Sequence, residues 1–150
     1  MENAMKGIYP AQESDFEAIT TVWEASVRAT HHFLQDADIR ALRPLVREQY
    51  LPMVELRIYR DEEQSIVGFL GVAENRLEML FVAPQVFGLG IGKQLLRYAI
   101  EQLNVSELDV NEQNPQALSF YQHQGFVITG RSPLDGQGNP FPLLHLRYAQ

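Results

Sequence analysis

Apolar and polar positions along this chain follow two different periods, and the switches between them mark out its elements. Phe16, Ile19, Val22, Trp23 and Val27 recur every three or four residues, which predicts a helix with one buried face. Ser14, with Glu17 three residues on, is placed to open it as a capping box, and the helix runs to about Thr30. A second helical pattern covers Asp38 to Leu51; Pro44 removes a backbone donor within it and predicts a kink or split near Arg43. Arg40, Arg43 and Arg47 line one side of that segment, where a solvated face is expected ahead of an anion site.

Short runs rich in branched and aromatic residues predict strands at Lys6 to Tyr9, Leu56 to Arg60, Ile66 to Ala73 and Leu77 to Val82. "DEEQS" and "ENR" between the last three are short enough for hairpin turns. Helical spacing returns in Ile91, Leu95, Leu96, Ala99, Ile100 and Leu103, and a strand follows at Glu107 to Asn111. "NPQALSFYQHQGF" then reads as a helix with Asn114 as N-cap, Pro115 at its first position and Gly125 as its stop. Phe126 to Thr129 and Leu143 to Tyr148 are closing strands separated by the turn-rich "SPLDGQGNPFP". Helices, then hairpins, then a strand–helix–strand–helix–strand unit give an α/β (α+β) chain built on one sheet. A length of 150 residues fits one domain.

Composition narrows the chemistry. A hydrophobic content of 45% supports a real core. The absence of cysteine excludes disulfides, thiolate zinc sites and a cysteine nucleophile. A net charge of -7 argues against a nucleic-acid partner, which needs a basic footprint. No basic segment precedes an apolar one at the N-terminus, and no apolar run nears the ~20 residues of a membrane span, so a cytoplasmic protein off the membrane is expected. The four histidines lack metal-ligand spacing, and no metal is expected.

The stretch "FVAPQVFGLGIGKQLL" sets Gly88, Gly90 and Gly92 at alternate positions between a strand and a helix. It is not a Walker A loop, because Gln94 follows Lys93, and not a dinucleotide fingerprint, because the third residue after Gly90 is Lys93. Glycines in such a turn let successive N–H groups converge on an anion at a helix N-terminus. The alternative is a crowded turn that needs small residues only for packing.

With "NPQALSFYQHQGF" downstream, this turn resembles the GNAT superfamily of N-acetyltransferases, whose first motif falls here on Phe87 to Gly92. The second falls on Asn114, Ala117, Phe120, Tyr121, Gly125 and Phe126; "ATHHFL" and "VNEQNPQALSFY" are more narrowly similar to its bacterial YjaB-type members. The resemblance covers nearly the whole chain. It implies a single domain with a central mixed, mostly antiparallel, splayed sheet flanked by about four helices. It also implies acetyl-CoA as co-substrate and direct transfer, in a ternary complex, to a primary amine of a small molecule, a protein lysine or a protein N-terminus. A catalytically silent CoA-binding module is the alternative.

Cofactor contacts are implied at Leu80, Phe81 and Val82, at Phe87, Gly88, Leu89, Gly90, Ile91, Gly92 and Lys93, and at Asn114, Ala117, Phe120 and Tyr121. Phe87 stands where the family has Arg or Gln, so one pyrophosphate contact should be missing and binding weaker. A main-chain N–H near Leu80 would meet the developing oxyanion, with a bulge freeing backbone groups there. Tyr121, four residues after Ala117, is either the acid for the departing thiolate or a tyrosine packed on the sheet. Glu78, expected by alternation on the face of Leu80 and Val82, is either the base or a solvent-facing carboxylate. Asn111 either orders a water or the substrate or makes a turn; His31 and His32 either meet the acceptor or simply end the first helix.

Overall fold

A computed structural model describes residues 7–149 of the chain. They run through strand β1 (Gly7–Pro10), helices α1 (Phe16–Thr30) and α2 (Asp36–Leu45), and the meander β2 (Glu55–Arg60), β3 (Ile66–Ala73) and β4 (Arg76–Val82). Helix α3 (Ile91–Leu103), β5 (Glu107–Asn111), α4 (Pro115–His123), β6 (Phe126–Ser132) and β7 (Leu143–Tyr148) follow. Lys6, the expected start of the first strand, lies outside the described residues.

Local chemistry fixes the hairpins. Asp61 Oδ1 accepts from the N–H groups of Glu63 and Ser65, both at 2.9 Å, and closes the β2–β3 turn. Glu74 and Asn75 both take positive φ, 52° and 70°, the pair of conformations a tight turn needs to match strand twist. The strands form one seven-stranded sheet in the order β1-β2-β3-β4-β5-β7-β6. Every neighbouring pair is antiparallel except β4–β5, which is joined through the α3 crossover and pairs only at Arg76–Glu107 and Leu77–Leu108. Beyond Leu77 the two strands part, so the sheet is mixed and splayed as the resemblance implied.

Helices cover both faces. A Cβ built on Gly68 would lie 3.1 Å from Leu95 and 3.3 Å from Ile91, which places α3 against that face of β3. Phe69, next in the alternation, packs on Phe81, which in turn meets His31 at the end of α1 on the other face. The core joins Ile19, Trp23 and Val27 of α1 to Phe69 and Leu70 of β3 and to Leu95, Leu96 and Ala99 of α3. Among the described residues no helix is long and apolar enough to cross a membrane.

Several boundaries differ from expectation for physical reasons. The capping box is Gln12–Asp15, not Ser14–Glu17: Asp15 Oδ2 accepts from Gln12 N–H at 2.9 Å, and a 3₁₀ turn at Glu13–Asp15 precedes α1. A second such box, Gln35–Asp38, starts α2 at Asp36, two residues early. The split expected near Arg43 falls two residues on: α2 ends at Leu45, and the chain passes at Val46 into a π-turn, Val46–Tyr50, and then a 3₁₀ turn, Leu51–Met53. The arginine row keeps the solvated face expected of it, with Arg40 and Arg47 exposed, and forms ion pairs there. Arg43 reaches Glu17 at 2.6 Å and Glu24 at 2.8 Å, Arg47 reaches Glu17 at 2.9 Å, and Arg40 reaches Asp36 at 2.9 Å. β6 extends past Thr129 to Ser132 because β7 continues to pair with it.

Candidate active site

The cleft begins where β4 and β5 part. Gly71 pairs with Met79 and Val72 with Leu77, so Glu78 is an extra residue in β4 and forms a bulge. From there to Val82, the edge of β4 facing β5 has no strand partner. The bulge also overturns the expected placement of Glu78. Val82 faces α3, 3.7 Å from a Cβ at Gly92, and Leu80 shares its parity. One residue of alternation is lost at the bulge, so Glu78 falls on the opposite face, within the fields of Arg76 and Asp109. Although its side chain reaches solvent, partial burial pushes its carboxyl above the ordinary range; Arg76 opposes that shift and Asp109 adds to it.

The glycine turn is not crowded. Gly88 and Gly90 have φ of +82° and +84°, and a Cβ on either would meet nothing within 4 Å. They are required for conformation rather than packing, which removes the crowded-turn explanation. Gly92 is helical, and a Cβ there would make ordinary contacts with Val82 at 3.7 Å and Phe120 at 3.8 Å. Gln94 N–H closes the first turn on Gly90 C=O at 3.0 Å, leaving the earlier N–H groups of α3 pointing out of the helix end, with Lys93 beside them. Phe87 is 45% exposed at the lip of this turn.

Helix α4 forms the opposite wall. Asn114 Oδ1 accepts from Ala117 N–H at 3.2 Å, Pro115 occupies the first helical position, and Gly125 follows the helix with φ +106°, as its sequence predicts. Tyr121 lies edge-on to Phe120 and Phe126, and burial pushes its phenol well above the ordinary tyrosine range, so the hydroxyl keeps its proton at neutral pH. Asn111 makes the turn considered for it, its Oδ1 accepting from Gln113 N–H at 2.8 Å, while also lining the cleft. His31 caps α1, packs against Phe33 and Phe81, and meets Thr30 Oγ1 at 2.8 Å through Nδ1. Burial, and to a lesser degree His32, lowers its pKa and favours the neutral ring.

These elements enclose a cavity of about 600 Å³. Every residue expected at the site lines it except Leu89, which points to solvent, and His32, which is exposed beyond the helix end. Sequence reasoning missed Ser26 and Thr30 of α1 and Asp109 of β5. Asp109 could have been found, because it alternates with Asn111 on one face of its strand. The lining suits acetyl-CoA: outward N–H groups and Lys93 at one end match a diphosphate, and the unpaired edge of β4 matches an amide-bearing arm.

Residues 31–141 match the family model described as an acetyltransferase (GNAT) domain. The chain belongs to the GNAT acetyltransferase family. It is 38% identical over 144 residues to the peptidyl-lysine N-acetyltransferase YjaB of Salmonella typhimurium, covering 96% of this chain and 99% of that one. The solution structure of apo-form YjaB from Escherichia coli superposes with a TM-score of 0.87 at 37% identity, over 96% of this chain and 97% of that one. The PaiA N-acetyltransferase of Thermoplasma acidophilum, solved with coenzyme A, shares the fold at 20% identity and a TM-score of 0.75, covering 96% and 99%. This GNAT protein is an enzyme, an acetyl-CoA-dependent N-acetyltransferase, and the silent-module alternative falls away.

Proposed function

We propose that this acetyltransferase acetylates the ε-amine of lysine in proteins, by direct attack within a ternary complex. The observation that carries the reading is the bulge at Glu78, which sets a carboxylate of raised proton affinity on the face of the gap opposite the glycine turn. The amine then enters from one side of the sheet and the acetyl donor from the other. The name of the Salmonella relative supports lysine as the acceptor, as does the anionic pair Glu78 and Asp109 facing the cleft.

Bound acetyl-CoA supplies an activated thioester carbonyl. The chain supplies the rest. Glu78, through a water, takes one proton from the incoming ammonium. Main-chain N–H groups on the free edge of β4 near Leu80 stabilise the oxyanion, an effect worth roughly 2.7–4 kcal/mol per donor in comparable sites. The Tyr121 hydroxyl, kept protonated by burial, gives its proton to the thiolate and regains one from the tetrahedral nitrogen. The balance is ammonium plus thioester giving amide, free thiol and one released proton. Asn114 and the α3 N-terminus hold the walls of the donor side, and His31 lines the acceptor side as a neutral ring.

Tyr121→Phe tests the assignment. Free-thiol release on a lysine peptide should fall about 10²-fold or more while acetyl-CoA binding by calorimetry stays near wild type. Undiminished turnover would remove Tyr121 from the mechanism. Failure of the wild-type protein to form acetyl-lysine on any of a broad peptide panel would remove lysine as the acceptor.

A further inference from the structure

A second cavity, of about 290 Å³, lies beside the cleft, and Leu108 and Asp109 line both. Asp109 is held from two sides. Its Oδ2 meets Arg76 Nη1 at 3.1 Å, and its Oδ1 lies 2.6 Å from Nδ1 of His145, its direct partner in the β5–β7 register. The far nitrogen of that ring, Nε2, lies 2.7 Å from Ser132 Oγ. Gly130, opposite His145 in β6, leaves room for the ring, with a Cβ position 3.4 Å from Cδ2. The order Ser132–His145–Asp109 has the form of a nucleophile chain, but Ser132 lines neither cavity, so no substrate space serves it. What the chain does fix is one carboxylate.

Both Asp109 oxygens are engaged in this way, so its orientation is set by β7 and β4 rather than by solvent. Its charge bears on Glu78 across the gap. Arg76 pairs with Glu107 at 2.7 Å as well as with Asp109 and acts on Glu78, and Arg147 stands opposite Glu107 in β7; of these groups only Glu78 and Asp109 line the cleft, and both are carboxylates. An ammonium group has the complementary charge.

We propose that His145 is a positioning residue for acetyl transfer: it holds Asp109 so that Asp109 and Glu78 together form the amine-receiving end of the cleft. The proposal rests on the lysine reading above. His145 touches neither donor nor acceptor and acts through Asp109. Its contribution is therefore to capture of the amine, and the donor side, built on α3 and α4, is independent of it.

The test compares His145→Leu, which removes both bonds, with His145→Asn, whose side-chain nitrogen can replace Nδ1 toward Asp109. Ser132→Ala loses only the outer bond. Steady-state kinetics on a lysine peptide, calorimetric acetyl-CoA affinity and melting temperature are measured for the full chain. His145→Leu should raise KM for the peptide about tenfold, the scale of losing one charge-assisted hydrogen bond, with kcat within about twofold and acetyl-CoA affinity unchanged. His145→Asn should restore KM to within about threefold of wild type, and Ser132→Ala should shift it no more than that. An unchanged KM in His145→Leu, equal losses in the Leu and Asn variants, or a parallel loss of acetyl-CoA affinity overturns the proposal and leaves the lysine reading standing. A wild-type protein inactive on every lysine peptide overturns both.

Discussion

Replacing Gly92 by alanine separates what the fold requires from what a bound donor requires. The residue is helical, the second of α3, and lies outside the left-handed region that Gly88 and Gly90 occupy. A methyl group there would touch Val82 at 3.7 Å and Phe120 at 3.8 Å, both ordinary contacts, so nothing must move. Alanine in a helix is favoured over glycine by about 0.5–1 kcal/mol, and the free protein should gain about that much. For a chain of this size the gain corresponds to a rise of roughly 1–4 °C in melting temperature. The same methyl projects into the cleft wall between α3 and α4, where a diphosphate would approach the main chain. Acetyl-CoA affinity should fall about tenfold, or ~1.4 kcal/mol. Differential scanning calorimetry on the free protein and titration calorimetry with acetyl-CoA read the two effects separately. Gly90→Ala is the control: at φ +84° it should destabilise the free protein by about 1–2 kcal/mol. A lowered melting temperature for Gly92→Ala, or undiminished acetyl-CoA affinity, would refute the reasoning.

Two further expectations follow from the cleft. Glu78 has its carboxyl pKa raised in the fold, so its ionisation opposes folding; that cost is absent below the unfolded pKa and complete above the folded one. Glu78→Gln should therefore be more stable than wild type at pH 7 in urea melts, with the advantage vanishing as pH falls through the carboxylate range, while turnover drops about 10²-fold; equal stability at both ends of that range contradicts the assignment. Phe87→Arg should tighten acetyl-CoA binding about three- to fivefold, in a manner that added salt reverses, as expected for an exposed charge pair. Weaker binding instead would mean that Phe87 packs on the donor.

Legibility in the sequence tracked how local the governing physics is. Asn114, Pro115 and Gly125 specify the start and stop of α4 through bonds within a few residues, so the sequence shows that helix directly. Of the three alternating glycines, Gly88 and Gly90 have the positive φ that glycine adopts readily, whereas Gly92 is an ordinary helical residue. Ser14 and Glu17 offer the familiar hydroxyl–carboxylate box, whereas Gln12 and Asp15 close the same reciprocal pair two residues earlier. Alternation along β4 puts Glu78 with Leu80 and Val82, and no count along that strand alone can reveal an extra residue whose existence depends on the register with β3. The arginine row faces solvent as its spacing suggests, but two of its partners, Glu17 and Glu24, lie on α1, far back in the chain, and only Asp36, four residues before Arg40, is within local reach. Asp109 is half legible: alternation with Asn111 gives its strand face, whereas its partners Arg76 and His145 lie on neighbouring strands and no count along β5 shows them.

The parting of β4 from β5 after two residue pairs leaves the facing edges of the two strands without each other as partners. A ligand amide lying in the gap would take the place of the missing strand partner, and a ligand that binds only the folded chain favours folding. The donor is then a stabiliser of the chain as well as a reactant. Free acetyl-CoA at a hundred times its dissociation constant would add about 2.7 kcal/mol to the folding free energy. On a marginal stability of about 5–15 kcal/mol, an increment of that size changes how much enzyme survives proteolysis. Through this unfinished sheet, the supply of activated acetyl groups would set the lifetime of the protein that spends them.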